Sequence, residues 1–243
     1  VVIINKPPGH TSHEITTFVK KITGAARTGH AGSLDPDVSG VLPVALGKAT
    51  KLLRYIAGKD KTYVGIIKFK KPQTKEQVEK LFAKFVGEIT QTPPKISAVR
   101  KVARKRVIHY LKVIETSEKD PEKPARFTLF ETKVDAGTYI RTLCQDIGKL
   151  CGGARMEELR RTKVGNINEK QAVTMYELLD AIWLYKNRND AKELEKILNP
   201  PETFIELPKI VVKKLLVKSI FSGVAIKLKD LERQNRSSTW RRQ

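Results

Sequence analysis

Four polar residues stand in otherwise apolar or glycine-rich surroundings and could do chemistry together, namely Lys6, Asp35, Tyr63 and Arg141. Asp35 lies in a glycine-rich loop within the stretch RTGHAGSLDPDVSGVLPVALG, and an apolar segment follows it directly. A carboxylate presented in this way can act as a nucleophile or as a general base. A guanidinium beside it, such as that of Arg141, would oppose the rise in pKa that burial causes in a carboxyl group.

Each of these residues also fits a purely structural role. Asp-Pro begins turns, and glycines supply the positive φ angles that turns need, so the Asp35 loop fits a simple turn. A lysine at a strand end is usually a solvated cap, a tyrosine in a strand is usually core, and an arginine early in a helix is usually on the surface. The chemical interpretation therefore depends on the rest of the chain.

The elements that must position these residues follow from the periodicity of the sequence. A short strand leads to Lys6 and ends in a Pro-Gly turn, and the next residues fit an amphipathic helix with Ser12 as its N-cap and Gly24 as its stop. Arg141 falls one turn into a helix that starts at a glycine. Strands and helices are mixed, with hairpin-like neighbours. We therefore predict an α+β fold whose mixed, largely antiparallel sheet is flanked by helices.

The charge of the chain indicates a polyanionic partner. Its 243 residues include 47 Lys and Arg against 26 Asp and Glu, a formal charge of +21, which favours nucleic acid or an anionic membrane surface. The membrane is the weaker alternative, because the basic residues do not lie opposite a continuous apolar helical face. Cys144 and Cys151 have neither CxxC nor zinc spacing, so we expect reduced thiols and no metal site.

Five motifs in a fixed order carry a family resemblance. They are NKPPGHTS (5–12), GHAGSLDPDVSGVLPVALGKATK (29–51), KTYVG (61–65), AGTYIRTLCQDIG (136–148) and MEELRRTKVG (156–165). From Val1 to about residue 200 the chain resembles the TruB family of pseudouridine synthases. The resemblance implies a pseudouridine-synthase fold and the isomerisation of uridine in RNA, for which no cofactor is needed.

The resemblance also implies roles for the matching residues. Asp35 is the expected catalytic carboxylate, Arg141 its partner, Tyr63 the ring that stacks on a flipped-out uridine, and Lys6 the active-site lysine. The other matching positions are expected to bind the target nucleotide or the RNA, namely His30, Gly32, Leu159 and Arg160. Of these, His30 is expected to help displace the nucleotide and Leu159 to line the pocket. Because the reaction takes place on an extruded base, we expect Asp35 to be ionised and shielded from water.

Within the family, the sequence is more similar to the RNA-guided branch, dyskerin and its relatives, than to the stand-alone enzymes. TPPKISAVRKVARKRVIHYLKVIE (92–115) resembles a segment of the guided branch. The resemblance then implies an H/ACA guide RNA and a substrate in rRNA. It also implies a small Nop-type protein, a Gar-type protein and a kink-turn-binding protein on the guide. The location would be cytoplasmic in an archaeon and nuclear or nucleolar in a eukaryote.

A basic run within that segment is a second RNA-binding candidate. Residues 100–112 hold six Lys and Arg and no acid, and we expect phosphate contact rather than a merely solvated strand face, chiefly through Arg100, Arg104, Lys105 and Arg106.

The C-terminal part predicts a second, smaller domain. A proline-rich break at 199–209 separates a catalytic domain, 1–200, from a partial PUA-like β segment, 207–243. The stretch between LPKIVVK (207–213) and VAIKLKD (224–230) is too short for a complete PUA domain. Either the domain is degenerate or its middle strands are absent from the sequence, and the second is favoured because a partial barrel would expose unpaired strand edges.

Two further functions stay open at this point. One is a stand-alone synthase acting at uridine 55 of tRNA, which would need no guide. The other is an RNA-binding scaffold without catalysis that serves ribonucleoprotein assembly and ribosome biogenesis, against which the intact Asp35, Tyr63 and Arg141 argue.

Overall fold

The computed structural model describes residues 1–93, 100–207 and 211–227. By their internal contacts the residues divide into two units, Val1–Ile205 and Glu206–Gln243. The assignment of a catalytic domain and a PUA-like domain to these parts of the chain stays a prediction.

The first unit is built on one nine-stranded sheet. In chain order the strands are β1 (Val2–Lys6), β2 (Thr28–His30), β3 (Ser39–Leu46), β4 (Lys61–Gln73), β5 (Gly87–Gln91), β6 (Arg104–Thr116), β7 (Ala125–Val134), β8 (Ala154–Val164) and β9 (Ile167–Asn168). The main path through the sheet is β1-β3-β8-β4-β7-β6-β5, with β2 paired to β3 and β9 to β8. Of the described pairs only β3 with β8 is parallel, so the predicted mixed, largely antiparallel sheet is confirmed.

Helices flank this sheet. Those of the first unit are α1 (Ser12–Thr23), α2 (Leu53–Ala57), α3 (Lys75–Ala83), α4 (Ile140–Lys149), α5 (Met175–Arg188) and α6 (Lys192–Ile197), with 3₁₀ turns at Gly47–Leu52, Glu169–Gln171 and Pro201–Phe204. In the second unit, α7 (Val217–Phe221) follows a 3₁₀ turn at Lys214–Leu216. No helix of the described ranges has the length and apolar character that crossing a membrane requires.

The core that matters for the site lies between the sheet and helices α3 and α4. Helix α4 buries one face, which includes Ile140, Leu143 and Ile147, against strand residues such as Phe69 and Phe130. This periodicity of three and four is what makes the segment a helix. The same cluster includes Tyr63 and Leu34, so the core continues beneath the Asp35 loop.

The predicted start of the first helix, α1, was wrong by a residue. The N-cap of α1 is Thr11, whose side chain accepts from the backbone N–H of Glu14 while the Glu14 carboxylate accepts from the N–H of Thr11. This reciprocal pair is a capping box, and it satisfies two of the otherwise unpaired N–H groups at the helix start. Ser12, the predicted cap, is the first helical residue and is buried. The predicted stop at Gly24 is confirmed, in the left-handed conformation.

The segment VAIKLKD (224–230) of the predicted PUA-like part lies partly outside the described residues. Its described portion, 224–227, has no regular secondary structure. Residues 94–99 of the predicted guided-branch segment also lie outside the described residues.

Candidate active site

The carboxylate and guanidinium that the sequence singled out form an ion pair. Oδ2 of Asp35 lies 2.8 Å from Nη2 of Arg141. Asp35 belongs to the loop between β2 and β3, whereas Arg141 is the second residue of α4. The helix starts at Ile140 and not at the glycine, Gly137, so Arg141 lies in its first turn rather than one turn into it as predicted. The N-terminus of a helix carries partial positive charge, which adds to the attraction that the guanidinium exerts on the carboxylate.

The expected shielding of Asp35 is not present in the free chain. About half of its side chain, 53%, is exposed, and 41% of that of Arg141. The ion pair is therefore open to an incoming ligand, and exclusion of water from Asp35 would have to come from that ligand.

Contacts from the N-terminal segment fix the backbone on both sides of Asp35. The hydroxyl of Ser12 accepts from the N–H of Leu34 at 2.8 Å and donates to the carbonyl of Leu34 at 3.2 Å. On the other side, the carbonyl of Pro36 accepts from the N–H of Gly9 at 3.0 Å. Ser12 thus serves the loop rather than the helix end, which explains why its side chain is buried.

Lys6 forms hydrogen bonds to the same loop. Its side chain is fully buried, and Nζ donates to the carbonyls of Pro36 and Pro7, each at 2.9 Å. Burial lowers the pKa of Lys6, while the nearby charges of Asp37 and Asp35 oppose the shift. In this arrangement Lys6 holds the backbone next to Asp35 and does not face solvent, so contact with a substrate would require it to leave these carbonyls.

Sequence reasoning missed the most deeply placed cation of the site, Arg161. It is 1% exposed and lies on β8. Its Nε donates to the carbonyl of Val41 at 2.8 Å, and its Nη2 to that of Gly32 at 3.0 Å. Burial lowers the pKa of Arg161, and interaction with the Tyr63 hydroxyl opposes that shift. A signal existed: in a strand, consecutive residues face opposite sides, so Arg160 and Arg161 cannot both face outward.

Gly40 lets β3 and β8 approach each other at this point. The two strands pair at Gly40 with Arg161. Gly40 has a φ of +107°, and a Cβ atom built on it would lie 2.1 Å from the carbonyl oxygen of Arg161. Only glycine fits such a close backbone approach.

Tyr63 and Leu159 lie together under the loop. Tyr63 is on β4, is 8% exposed, and shares a buried cluster with Leu34, Val38 and Leu159. Its hydroxyl interacts with the guanidinium of Arg161. The structure therefore brings Tyr63 close to the residues that hold Asp35, whereas its stacking on a base stays a prediction.

His30 and Gly32 lie on the chain just before Asp35. Gly32 has a φ of +85°, and its carbonyl is the one that Arg161 binds. Burial lowers the pKa of His30, and the charges of Arg161 and His13 lower it further. Its Nδ1 is buried and has no hydrogen-bond partner among the described residues. His30 is therefore a neutral imidazole near neutral pH, with one polar atom left for a ligand.

The predicted RNA-binding arginines differ in how free they are. Arg160 forms an ion pair with Glu169 at 2.8 Å. In the basic run, Arg100 and Arg104 are exposed, and Lys105 is exposed but lies 2.9 Å from Glu88. Arg106 is half-buried, and its guanidinium packs against Gly137. Arg100 and Arg104 are thus available to a phosphate, Lys105 would exchange its contact with Glu88 for one, and Arg106 has a structural role as well.

One cluster in the described residues has donor types suited to a cation. The side-chain ligand atoms of Asp60, His109 and Asp135 all lie within 4.8 Å of one another. However, Nζ of Lys133 lies 3.3 Å from Asp60 Oδ2, and His109 Nε2 lies 3.1 Å from Asp135 Oδ1. The two carboxylates, beside the start of β4 and the end of β7, therefore already contact a lysine and a histidine of neighbouring strands.

Comparisons with known proteins agree on one family. Residues 20–76 match the model of the TruB family pseudouridylate synthase N-terminal domain, and residues 141–206 match that of the tRNA pseudouridylate synthase B C-terminal domain. A probable tRNA pseudouridine synthase B of Methanosarcina barkeri is 45% identical over 93% of this chain and 65% of its own length. The corresponding protein of Archaeoglobus fulgidus is 41% identical over 94% and 69%. The chain thus spans about two thirds of the length of these curated relatives.

Solved structures give the same picture for the fold. A crystal structure of a Cbf5-Nop10-Gar1 complex matches with a TM-score of 0.86 and 36% identity, over 95% of this chain and 69% of that one. The structure of an H/ACA ribonucleoprotein bound to a substrate RNA containing 2′-deoxyuridine matches with a TM-score of 0.83 and 34% identity, over 95% and 68%. The Asp35 loop, β4, α4 and β8 all fall within the residues that the family models or the structural matches cover.

Proposed function

The chain belongs to the TruB family of pseudouridine synthases, and we propose that it isomerises uridine to pseudouridine within RNA with Asp35 as the catalytic carboxylate. The observation that carries this proposal is the half-exposed ion pair between Asp35 and Arg141. A loop that Lys6, Ser12 and Arg161 hold in place presents the carboxylate to solvent. Such preorganisation places a reactive group without further ordering when the substrate binds.

The reaction needs only groups that this site offers. The bond from uracil N1 to ribose C1′ breaks, the base turns, and C5 bonds to C1′. C5 loses a proton and N1 gains one, so substrate and product are isomers and no redox partner takes part. The Asp35 carboxylate can serve as nucleophile or as base in this sequence, and the Arg141 guanidinium binds it through a charge-assisted contact.

The base must leave its stack before Asp35 can reach it. His30, with an unpartnered Nδ1, and Tyr63, beside the loop, are the groups that would receive the extruded nucleotide. Once the nucleotide covers the exposed half of Asp35, water is excluded and the electrostatic contacts in the site strengthen.

We further propose that the chain works as the catalytic subunit of an H/ACA ribonucleoprotein that modifies rRNA. Two observations support this branch: the agreement in fold with a Cbf5-Nop10-Gar1 complex, and that with a substrate-bound H/ACA ribonucleoprotein. The partners would then be a guide RNA, its substrate RNA, a Nop10-type and a Gar1-type protein, and a kink-turn-binding protein on the guide. The net charge of +21 suits a surface that contacts two RNA strands.

A second candidate is a guide-independent synthase acting on tRNA. It is favoured by the relatives of Methanosarcina barkeri and Archaeoglobus fulgidus, which are described as probable tRNA pseudouridine synthases. Both candidates use the same site and differ in what presents the uridine to it.

One assay separates them. Pseudouridine formation is measured on a uridine-containing target RNA with a matched H/ACA guide and purified partner proteins, on the same RNA without guide, and on tRNA transcript. Product only with the guide supports the ribonucleoprotein function, and product on tRNA alone supports the second candidate. RNA binding without product on any substrate would contradict both and favour a scaffold.

A further inference from the structure

A buried glutamine, Gln91, makes a contact that neither the proposed chemistry nor the family resemblance assigns. Gln91 is the last residue of β5 and is 4% exposed. Its Oε1 accepts from the backbone N–H of Tyr139 at 3.0 Å, and its Nε2 donates to the backbone carbonyl of Tyr139 at 3.2 Å. One side-chain amide therefore binds both polar groups of a single residue 48 positions later in the chain.

Tyr139 is the residue from which α4 starts. It is the N-cap of that helix, and no side chain within the cap supplies the usual capping hydrogen bond. Its carbonyl accepts the first intrahelical bond, from the N–H of Leu143 at 3.0 Å. Arg141 lies two residues further on. A shift of Tyr139 would move the first turn of α4 and with it the guanidinium that contacts Asp35.

The turn before Tyr139 is held by β6 in a similar way. The carboxylate of Asp135 accepts from the N–H of Val107 at 2.9 Å, and the N–H of Asp135 donates to the carbonyl of Val107 at 2.9 Å. The guanidinium of Arg106 packs against Gly137, whose φ is +82°. The β5–β6 hairpin thus contacts the turn from Asp135 to Tyr139 at both of its ends and at Gly137.

We propose that Gln91 is a positioning residue that sets Arg141 against Asp35, and that through it the β5–β6 hairpin is mechanically linked to the catalytic ion pair. The reactive geometry of a site is sensitive to small displacements, and misplacement by about 1 Å can reduce turnover roughly a hundredfold. The hairpin also carries the exposed Arg104 and Lys105. The same hairpin would therefore contact RNA and hold the helix that positions Arg141. This inference rests on the proposed function for its kinetic consequences but not for its structural ones.

The test compares Gln91→Met with wild type, using Gln77→Met as the matched control. Methionine keeps the volume of the side chain and removes both hydrogen bonds, so no cavity forms. Gln77 also accepts from a backbone N–H, that of Thr74 at 2.9 Å, but at the exposed start of α3. We expect a fall in kcat of roughly tenfold to a hundredfold for Gln91→Met with KM within about twofold, and no change in kcat for the control.

A double-mutant cycle distinguishes positioning of Arg141 from a general loss of structure. In an Arg141→Lys background, which keeps the charge, Gln91→Met should cause little additional loss of kcat, because the contact it supports is already broken. A full additional loss in the double variant would overturn the proposal. So would wild-type kcat in the single variant.

Hydrogen exchange at the Tyr139 amide decides the structural half without any catalysis. We expect this amide to exchange at least about tenfold faster in Gln91→Met, since it loses its acceptor, and unchanged exchange would overturn the inference. If wild type turns over no RNA, the proposed function fails, and the exchange measurement still decides whether Gln91 holds the start of α4.

Discussion

Arg141 reaches across 106 positions of sequence to place its Nη2 2.8 Å from Oδ2 of Asp35. Both side chains are about half-exposed, so the ion pair is already formed in the free chain and is accessible to solvent. The carboxylate belongs to a loop that its neighbours hold rigidly, and the guanidinium belongs to the first turn of a helix that Gln91 holds. Two independent supports therefore meet at one ion pair, and each can be perturbed separately.

Asp35→Asn should abolish isomerisation while leaving RNA binding nearly intact. The amide preserves shape but can act neither as a nucleophile nor as a base, and we expect a loss of about 10²- to 10⁴-fold or more in kcat. Turnover on a guided target RNA and RNA binding by filter retention are the measurements. Asp37→Asn, an exposed carboxylate two residues away, is the control and should keep near-normal turnover. Substantial turnover in Asp35→Asn would contradict the catalytic role.

Arg161→Met should destabilise the protein by about 2–4 kcal/mol, because buried carbonyls at Gly32 and Val41 lose their donors. Urea unfolding measures this loss. Arg160→Met is the matched control, since its arginine is the adjacent residue of the same strand and pairs with Glu169 near the surface. It should change the free energy of unfolding by less than about 1 kcal/mol. Equal losses in the two variants would mean that Arg161 does not hold the loop.

Gly40→Ala should prevent β3 from pairing with β8, because the added methyl would overlap the carbonyl of Arg161. We expect a loss beyond about 4 kcal/mol or no folded protein. Gly87→Ala separates this clash from backbone strain, since Gly87 has a similar φ of +102° but nothing within 4 Å of its built Cβ. That control should lose only about 1–2 kcal/mol. Thermal unfolding of both purified variants gives the comparison, and a mild effect at Gly40 would show that the strands can separate there.

Replacing Arg104, Lys105 and Arg106 with glutamine should weaken RNA binding and flatten its dependence on salt. The slope of log K against log salt should fall by roughly one for each side chain that contacts a phosphate. We expect Arg104 and Lys105 to account for most of this fall, because Arg106 packs against Gly137. Lys75, Lys80 and Lys84 on or beside α3, replaced together with glutamine, provide a control of equal charge. The same slope in both triple variants would mean that the basic run faces solvent.

Lys61 makes the stability of the chain depend on pH in the alkaline range. Burial lowers the pKa of Lys61 from 10.5 to about 8, with the charge of Arg161 acting in the same direction and that of Asp60 opposing it. Between these two values the unfolded chain binds the proton and the folded chain does not, so the lysine's contribution to stability increases as pH rises through the window. Wild type should therefore gain on the order of 3 kcal/mol relative to Lys61→Met between pH 8 and pH 10.5. Urea unfolding of both proteins at the two pH values measures the difference, and parallel pH profiles would contradict it.

Periodicity predicted most elements of the fold, and the places where it failed have physical reasons. Two adjacent residues could cap α1, and the sequence Thr11-Ser-His-Glu14 offers a capping box only if Thr11 is the cap. The sequence pattern predicts no strand at β8, because the outer face of this strand is charged and its run MEELRRTKV does not alternate cleanly. Register shifts in its pairing with β4 break the alternation.

The residues of the candidate site were predictable from the sequence, but the contacts that hold them were not. The resemblance placed Asp35, Arg141 and Tyr63 in one site, and the structure brings them and Lys6 together. What the sequence could not reveal were contacts made across the fold to backbone atoms, such as those of Arg161 and Gln91, because a carbonyl acceptor leaves no mark in the sequence. Asp35 is half-exposed in the free chain, so its shielding from water during the reaction stays a prediction.

The hydrogen-bond donor to the carbonyl of Gly32, Arg161, lies 129 positions further along the chain. A ribosome adding about 5–20 residues per second would need on the order of ten seconds to produce β8 after the loop has emerged. During that interval the loop has Lys6, Gly9 and Ser12 but not Arg161, and Arg141 has not yet been followed by the strand that completes the central sheet. The basic run at 100–112 and Arg141 both precede Arg161 in the chain, so the loop gains this last support only after they have been synthesised. The organised form of the Asp35 loop therefore cannot be complete before β8 has been synthesised.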